Sequence, residues 1–281
     1  MTSATPSIVT LKDAQVLQKA SPDNRLIETL KNLRRNRSAV SGAIVIGTLI
    51  IIALIAPLIA PYDPNLSMIG RPGESGKLPA SAPCINFLGC TKPQHVLGLD
   101  LNARDVFSRL MYGARTSLVV GITSVTFAVI VGTTLGLVAG YSGGWADNVI
   151  MRFMDVLLAF PSLLLAITIV TVYGPGLQNA LIAIAIVSIP VYARLIRASV
   201  LSVKELEFVT AERALGAPPA RILFQQIFPN TLTPLIVQGT LDIGGAVLSA
   251  AALSFLGLGA QPPLAEWGQM LSEARNYVFT A

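Results

Sequence analysis

Residues 116–146 read TSLVVGITSVTFAVIVGTTLGLVAGYSGGWA, without a single Asp, Glu, Lys or Arg. A helix needs about 20 mostly apolar residues to cross a bilayer, and this stretch exceeds that. A helix on the surface of a soluble domain carries a charged face; this one has none. Residues 38–62 and 156–193 are equally free of charge. Over the whole chain 53% of residues are hydrophobic and 12% charged, against roughly 25% charged in a typical soluble domain. The expected fold is all-α, a polytopic membrane helix bundle.

Outward from this stretch, the pattern predicts five spans, at about 39–60, 117–139, 150–172, 179–193 and 232–258. Pro61 and Pro64 stop the first, and Gly174-Pro175-Gly176 separates the third from the fourth. Pro161 is expected to kink the third, and Pro190 lies near the end of the fourth. Between the first two spans, residues 104–114 alternate charged and apolar side chains at helical spacing, which predicts a short helix lying along the membrane surface. In the second span Gly132, Gly136 and Gly140 recur every four residues, a strip against which a neighbouring backbone can pack closely.

Three regions follow: a polar tail over 1–37, a first span and outer loop over 38–94, and a membrane domain over 95–281 that contains a polar segment at 199–230. Lys31, Arg34, Arg35 and Arg37 precede the first span and favour a cytoplasmic N-terminus. Part of the tail, 23–33, is either a short interfacial helix or a flexible segment. Counting spans from that end places 199–230 in the cytoplasm, where Arg194, Arg197, Lys204, Arg213 and Arg221 agree with it. The net charge of +5 suits basic membrane flanks and is too small to suggest nucleic-acid binding.

Residues 206–230 read LEFVTAERALGAPPARILFQQIFPN. Good helix formers run from Val203 to Leu215. Phe208, Ala211, Ala214 and Leu215 share a face, Gly216 stands where a helix end favours positive φ, and Pro218 and Pro219 suit the first turn of a second helix. Residues 221–228 then form a short amphipathic piece ended by Pro229. The expected product is a helix, a glycine turn and a short helix between two spans. It is either a knob that docks on a soluble partner or a plain connection.

Ala211-Glu212-Arg213-Ala214-Leu215-Gly216-Ala217, with Ile227 and Pro229, resembles the "EAA" loop of ABC importer permeases. The family pattern opens Glu-Ala-Ala, whereas Thr210, Ala211 and Glu212 stand here, so the first acidic residue is missing. HVLGLD (95–100) and RDVFSRLMYGAR (104–115) resemble the oligopeptide/dipeptide/nickel permease group, with Leu99 in place of the usual Thr and Ala103 in place of Gly. GYSGGWAD (140–147), IMRFMD (150–155), AFP (159–161), YARLIR (192–197), LSFLGLGAQPP (253–263) and EWG (266–268) follow in the group's order. The match is to the second, C-type inner-membrane subunit.

That resemblance implies a subunit of an ATP-driven importer of short peptides, dipeptides and oligopeptides, in a bacterial or archaeal cytoplasmic membrane. Near relatives carry nickel or other small solutes. It implies a heterodimer with a second permease subunit, two ATP-binding subunits that hold ATP and Mg, and an external substrate-binding protein. Ala211, Glu212, Ala214, Leu215, Gly216, Ala217, Ile227 and Pro229 would couple to the ATPase. The group has six spans, and this sequence stops where the sixth is expected.

No phosphate-binding loop occurs, and one His, His95 in a loop, supports no nucleophilic triad or zinc site, so no enzyme and no resident cofactor or metal is expected. Asp242 falls inside the fifth span. An ionisable residue there lines the translocation path, binds a peptide ammonium group, or makes a structural hydrogen bond. The acidic residue of the resembling group falls later, where Ala250 stands. An ion-coupled secondary transporter, the alternative of another class, needs intramembrane ionisable groups, and Asp242 alone qualifies. Cys84 and Cys90 in the outer loop are either a disulfide or two free thiols.

Overall fold

The computed structural model describes residue 35 and residues 37–69, 81–85, 87 and 94–275. The tail segment 23–33, read as either an interfacial helix or a flexible stretch, and Cys90 lie outside the described residues. The chain divides into two units, one up to Ile51 and one from Ile52 onward. Among the described residues there is no strand, only isolated bridges between Cys84 and His95 and between Leu99 and Asp105.

Helix α1 (Arg37–Ile59) is apolar all round, and along it only Ala53 and Ala56 are buried. Exposed apolar side chains on every face suit hydrocarbon rather than water. Helix α2 (Val106–Ser142) begins at Asp105, whose side chain accepts the Ser108 N–H, and ends at Gly143. The expected surface helix at 104–114 is therefore not separate: its residues run into α2 without a break. Nothing between Ala114 and Ser117 stops a helix, and the charges that suggested an aqueous face, Arg104 and Arg109, are buried among partners.

The third span is broken rather than kinked. Helix α3 (Gly144–Leu158) and helix α4 (Ser162–Tyr173) meet at 91°. Pro161 lacks an N–H and keeps Phe160 out of helical geometry, so the ladder cannot cross this point. Helix α5 (Leu177–Val203) absorbs Pro190 and runs well past the expected end of the fourth span. Helix α6 (Glu207–Ala214) follows, then a helical turn α7 (Pro219–Arg221), a π-helical segment Ile222–Ile227, and helix α8 (Phe228–Phe255). Pro229 does not end the amphipathic piece as expected; it sits in the first turn of α8. The wider π turn before it passes the Phe228 N–H to the Leu223 carbonyl, five residues back, and so gives room to a ring that would crowd an α turn. Helix α9 (Trp267–Ala274) closes the described chain.

Among the described residues four helices are long and apolar enough to cross a membrane, or five if α3 and α4 form one span. The core of the second unit lies between α2, α5 and α8, where Val120, Tyr192, Ile196, Val200 and Leu253 are buried. The glycine strip of α2 faces α5 as its spacing predicts. An added Cβ would stand 2.6 Å from Tyr192 Cβ at Gly132, 2.6 Å from the Ala193 carbonyl at Gly136 and 2.8 Å from Val200 Cβ at Gly140. Two backbones meet there with no room for any side chain.

Candidate functional site

The 199–230 segment is a folded knob. Helix α5 ends at Val203, Leu206 is extended, and α6 starts at Glu207, so the expected helix from Val203 is interrupted by a turn. At the far end of α6 the chain reverses at Gly216, with φ +82°. The Gly216 N–H donates to the Arg213 carbonyl and the Ala217 N–H to the Glu212 carbonyl, both at 3.1 Å. This double bond pattern satisfies the last carbonyls of α6 and requires a residue that tolerates positive φ. Gln226 Nε2 donates to Glu212 Oε1 at 3.2 Å and ties the two arms.

The sequence-derived residues separate into a tip and a root. Ala211, Ala214, Leu215 and Gly216 are exposed, and Glu212 and Ala217 are half-buried. Ile227 is buried and belongs to the root, with Val209 and Ile222 beside it in the bundle core. Pro229 is exposed at the start of α8. The knob exposes apolar side chains beyond the expected set, from the start of α6 to its tip: Leu215 is 84% exposed, Phe224 60%, and Phe208 and Leu206 are exposed as well. The sequence reading took 221–228 as one amphipathic piece and did not single out Phe224, which the π-helical segment leaves exposed.

Near the knob, Arg194 pairs with Asp155 and Arg197 with Asp147, each at 2.5 Å, joining α5 to α3.

Asp242 lies at the middle of α8, half-buried. Tyr192 Oη on α5 donates to its Oδ2 at 2.7 Å, and Gln238 Nε2 donates to its Oδ1 at 3.0 Å. It borders a cleft of about 250 Å³ lined by Leu158, Ser162, Ser188, Gly245 and Ser249 among others. The cleft therefore lies at the break between α3 and α4, against α5 and α8. Gln238, one turn before Asp242, was readable from spacing; Tyr192, 50 positions away, was not.

At the other end of the bundle a charged cluster holds the loop before α2 to α9. Arg104 donates to Asp100 Oδ2 and to Glu273 Oε2, both at 2.7 Å. Arg109, 1% exposed, donates to the Pro64 and Pro263 carbonyls at 3.2 and 3.0 Å and to Glu273 at 3.3 Å. Glu266 caps α9 by accepting the Gln269 N–H at 2.9 Å, and Trp267 donates to the Leu110 carbonyl at 3.1 Å. His95, read from sequence as a loop residue, is buried, with Nδ1 2.8 Å from Asp105 Oδ1. Cys84 is disulfide-bonded. Among the described residues no group of His, Cys, Asp or Glu could hold a metal.

Residues 132–281 match the family described as "binding-protein-dependent transport system inner membrane component", and residues 25–75 match the "N-terminal TM domain of oligopeptide transport permease C". The chain is 48% identical over 254 residues to the dipeptide transport system permease protein DppC of Alkalihalophilus pseudofirmus, covering 90% of this chain and 79% of that one. It is 46% identical to the di/tripeptide transport system permease protein DppC of Pseudomonas aeruginosa, covering 90% and 80%. It is 44% identical to the glutathione transport system permease protein GsiD of Pectobacterium atrosepticum, covering 89% and 78%. Two inward-facing structures of the MetNI methionine ABC transporter share the fold. Their TM-scores are 0.50 and 0.51 at 20% and 21% identity, over 62% and 60% of this chain and 83% and 81% of theirs. A multi-pass helical bundle with a helical knob, matched over more than half its length by one family, thus belongs to the inner-membrane permease components of binding-protein-dependent ABC importers, in their oligopeptide/dipeptide group.

Proposed function

We propose that this chain is one half of the pore through which short peptides enter the cell, paired with a second, related permease subunit. Dipeptides and tripeptides are the leading cargo, because the most similar relatives named above carry them. The chain is a transport component rather than an enzyme. ATP and Mg act on two partner subunits, and a substrate-binding protein delivers cargo from outside. The N-terminus lies in the cytoplasm, which puts the knob on the same side as the ATPases.

The observation that carries the reading is the knob: Leu206, Phe208, Leu215 and Phe224 are exposed along it up to its tip, on a root buried in the bundle. Exposed large apolar side chains that cluster at the end of a rigid element mark a docking surface. The residues Ala211, Glu212, Ala214, Leu215, Gly216 and Ala217 form or adjoin that tip, while Ile227 and Pro229 fix how it joins α8. Asp242 lines the path through the pair. The secondary-transporter alternative gains no support from family or relatives.

The test is ATP hydrolysis by the reconstituted complex with and without cargo-loaded binding protein, comparing the native chain with Gly216→Pro. Proline holds φ near −65° and cannot adopt the +82° of this turn. The expected result is loss of cargo-stimulated hydrolysis with the membrane subunits still assembled. Stimulation indifferent to the substitution overturns the docking role.

A further inference from the structure

We infer that the cleft at Asp242 is a transit site that holds the protonated amine of the cargo, with Asp242 as its anion and Tyr192 and Gln238 as the groups that orient the carboxylate. The inference rests on the reading of the chain as a peptide pore.

The argument starts from charge. A carboxylate near the middle of a 28-residue membrane helix lies about 20 Å from either end at 1.5 Å per residue. Such a group is costly unless it is paired. Here the two donors, a phenol and an amide, are both neutral. Among the described residues the nearby basic groups are engaged elsewhere, Arg194 with Asp155 and Arg197 with Asp147, and none comes within ion-pair distance of Asp242. Each oxygen has accepted one hydrogen bond. A carboxylate offers about four acceptor sites, so capacity for a cationic donor remains.

Shape agrees with charge. The carboxylate borders a cleft of about 250 Å³ whose walls are mostly apolar, with the hydroxyls of Ser162, Ser188 and Ser249 among them. An ammonium group has three donors: one for Asp242 and two for hydroxyls, with small side chains resting on the apolar wall. A free peptide carries such a group at its N-terminus whatever its sequence. The site therefore fits a carrier of many peptides, selecting their common feature. Gly245 in the same wall leaves the space open, since an added Cβ there would meet nothing within 4 Å.

The test uses the assembled complex of both permease subunits and the ATPases in nanodiscs, without the binding protein. Saturation-transfer NMR reports contact with two probes, L-alanyl-L-alanine and its N-acetyl derivative, which lacks the ammonium. The native complex is expected to favour the free amine by about tenfold, the factor one charge-assisted hydrogen bond supplies. Asp242→Asn removes the preference, Asp242→Glu keeps part of it, and Tyr192→Phe reduces it. Gly245→Leu, which fills the cleft and spares the carboxylate, lowers contact with both probes and serves where Asp242→Asn fails to assemble. Equal contact of both probes in the native complex, or a preference that survives Asp242→Asn, overturns the inference. So does undiminished contact with Gly245→Leu. Peptide uptake by the native complex with its binding protein is measured alongside: its absence overturns the peptide reading itself, whereas its presence with equal probe contact overturns the site alone.

Discussion

Leu215 separates docking from folding. Its side chain is 84% exposed at the end of α6, so its contribution to the isolated subunit is small. If the ATP-binding subunit covers it, that exposed fraction becomes buried. Full burial of a leucine is worth roughly 1.5–3 kcal/mol, and the part still available here is then about 1.3–2.5 kcal/mol. At 1.4 kcal/mol per factor of ten, that weakens docking by about tenfold to sixtyfold on complete loss of the side chain. Leu215→Ala keeps Cβ and should fall near the lower figure. Leu215→Asp adds the cost of placing a charge against an apolar surface and should exceed the upper one. The assay is the affinity of the solubilised permease pair for the ATPase subunits, with the thermal midpoint of the pair measured alone. The control is Ile227→Ala at the buried root, 0% exposed, where a core truncation costs about 2–5 kcal/mol of stability. Leu215 substitutions should move affinity and leave the midpoint; Ile227→Ala should lower the midpoint. Unchanged affinity for Leu215→Asp, or a midpoint loss as large as that of Ile227→Ala, refutes the assignment of tip and root.

Gly136→Val should disrupt the contact of α2 with α5, because its Cβ alone would stand 2.6 Å from the Ala193 carbonyl. Overpacking of this kind costs about 1–3 kcal/mol, and a lowered midpoint with reduced membrane yield is the measurement. Arg109→Gln leaves the carboxylates of Asp100 and Glu273 short of a partner and strands the Pro64 and Pro263 carbonyls. Arg104 still holds both carboxylates, and leaving a buried acceptor without its donor costs about 1–3 kcal/mol, so hydrogen exchange around α9 should rise while the knob remains protected.

The parts of this fold legible in sequence are those fixed by neighbours along the chain. Absence of charge located the spans, because no partner elsewhere can make a long apolar helix soluble. The four-residue spacing of Gly132, Gly136 and Gly140 named a packing face, because helical geometry alone puts them in line. Gly216 was readable because its positive φ is a local demand. Three prolines show the limit. Pro161 breaks a span, Pro190 is absorbed within one, and Pro229 opens another behind a π turn. The local chemistry is the same, and tertiary packing decides whether the lost hydrogen bond bends the chain, widens a turn or ends a helix. Arg104 and Arg109 misled for the same reason. Their pattern suggested water, but their partner Glu273 lies 169 residues from Arg104, where no spacing rule reaches. Asp242 was visible as a lone charge, while the phenol that holds it comes from another helix.

The two candidate sites are mechanically linked by helices they share. Helix α5 enters the knob and α8 leaves it; Val209, Ile222 and Ile227 bury its root in the same core that holds both helices. Farther along, the Tyr192–Asp242 hydrogen bond ties α5 to α8 again, at the cleft. From Ile227 to Asp242 is about 22 Å at 1.5 Å per residue, so the pair is clamped at two levels along one rigid length. Helix α2 is fused to α5 by the glycine strip and belongs to the same body. The cleft's other wall is different: Leu158 and Ser162 flank the 91° break between α3 and α4, where no helical ladder resists bending. If docking displaces the knob, the α5–α8 wall moves as a unit, and the break is the place where the facing wall yields. Cleft geometry is then set by the ATPase state, which is what a transit site must have if cargo is to be gripped in one state and released in the next.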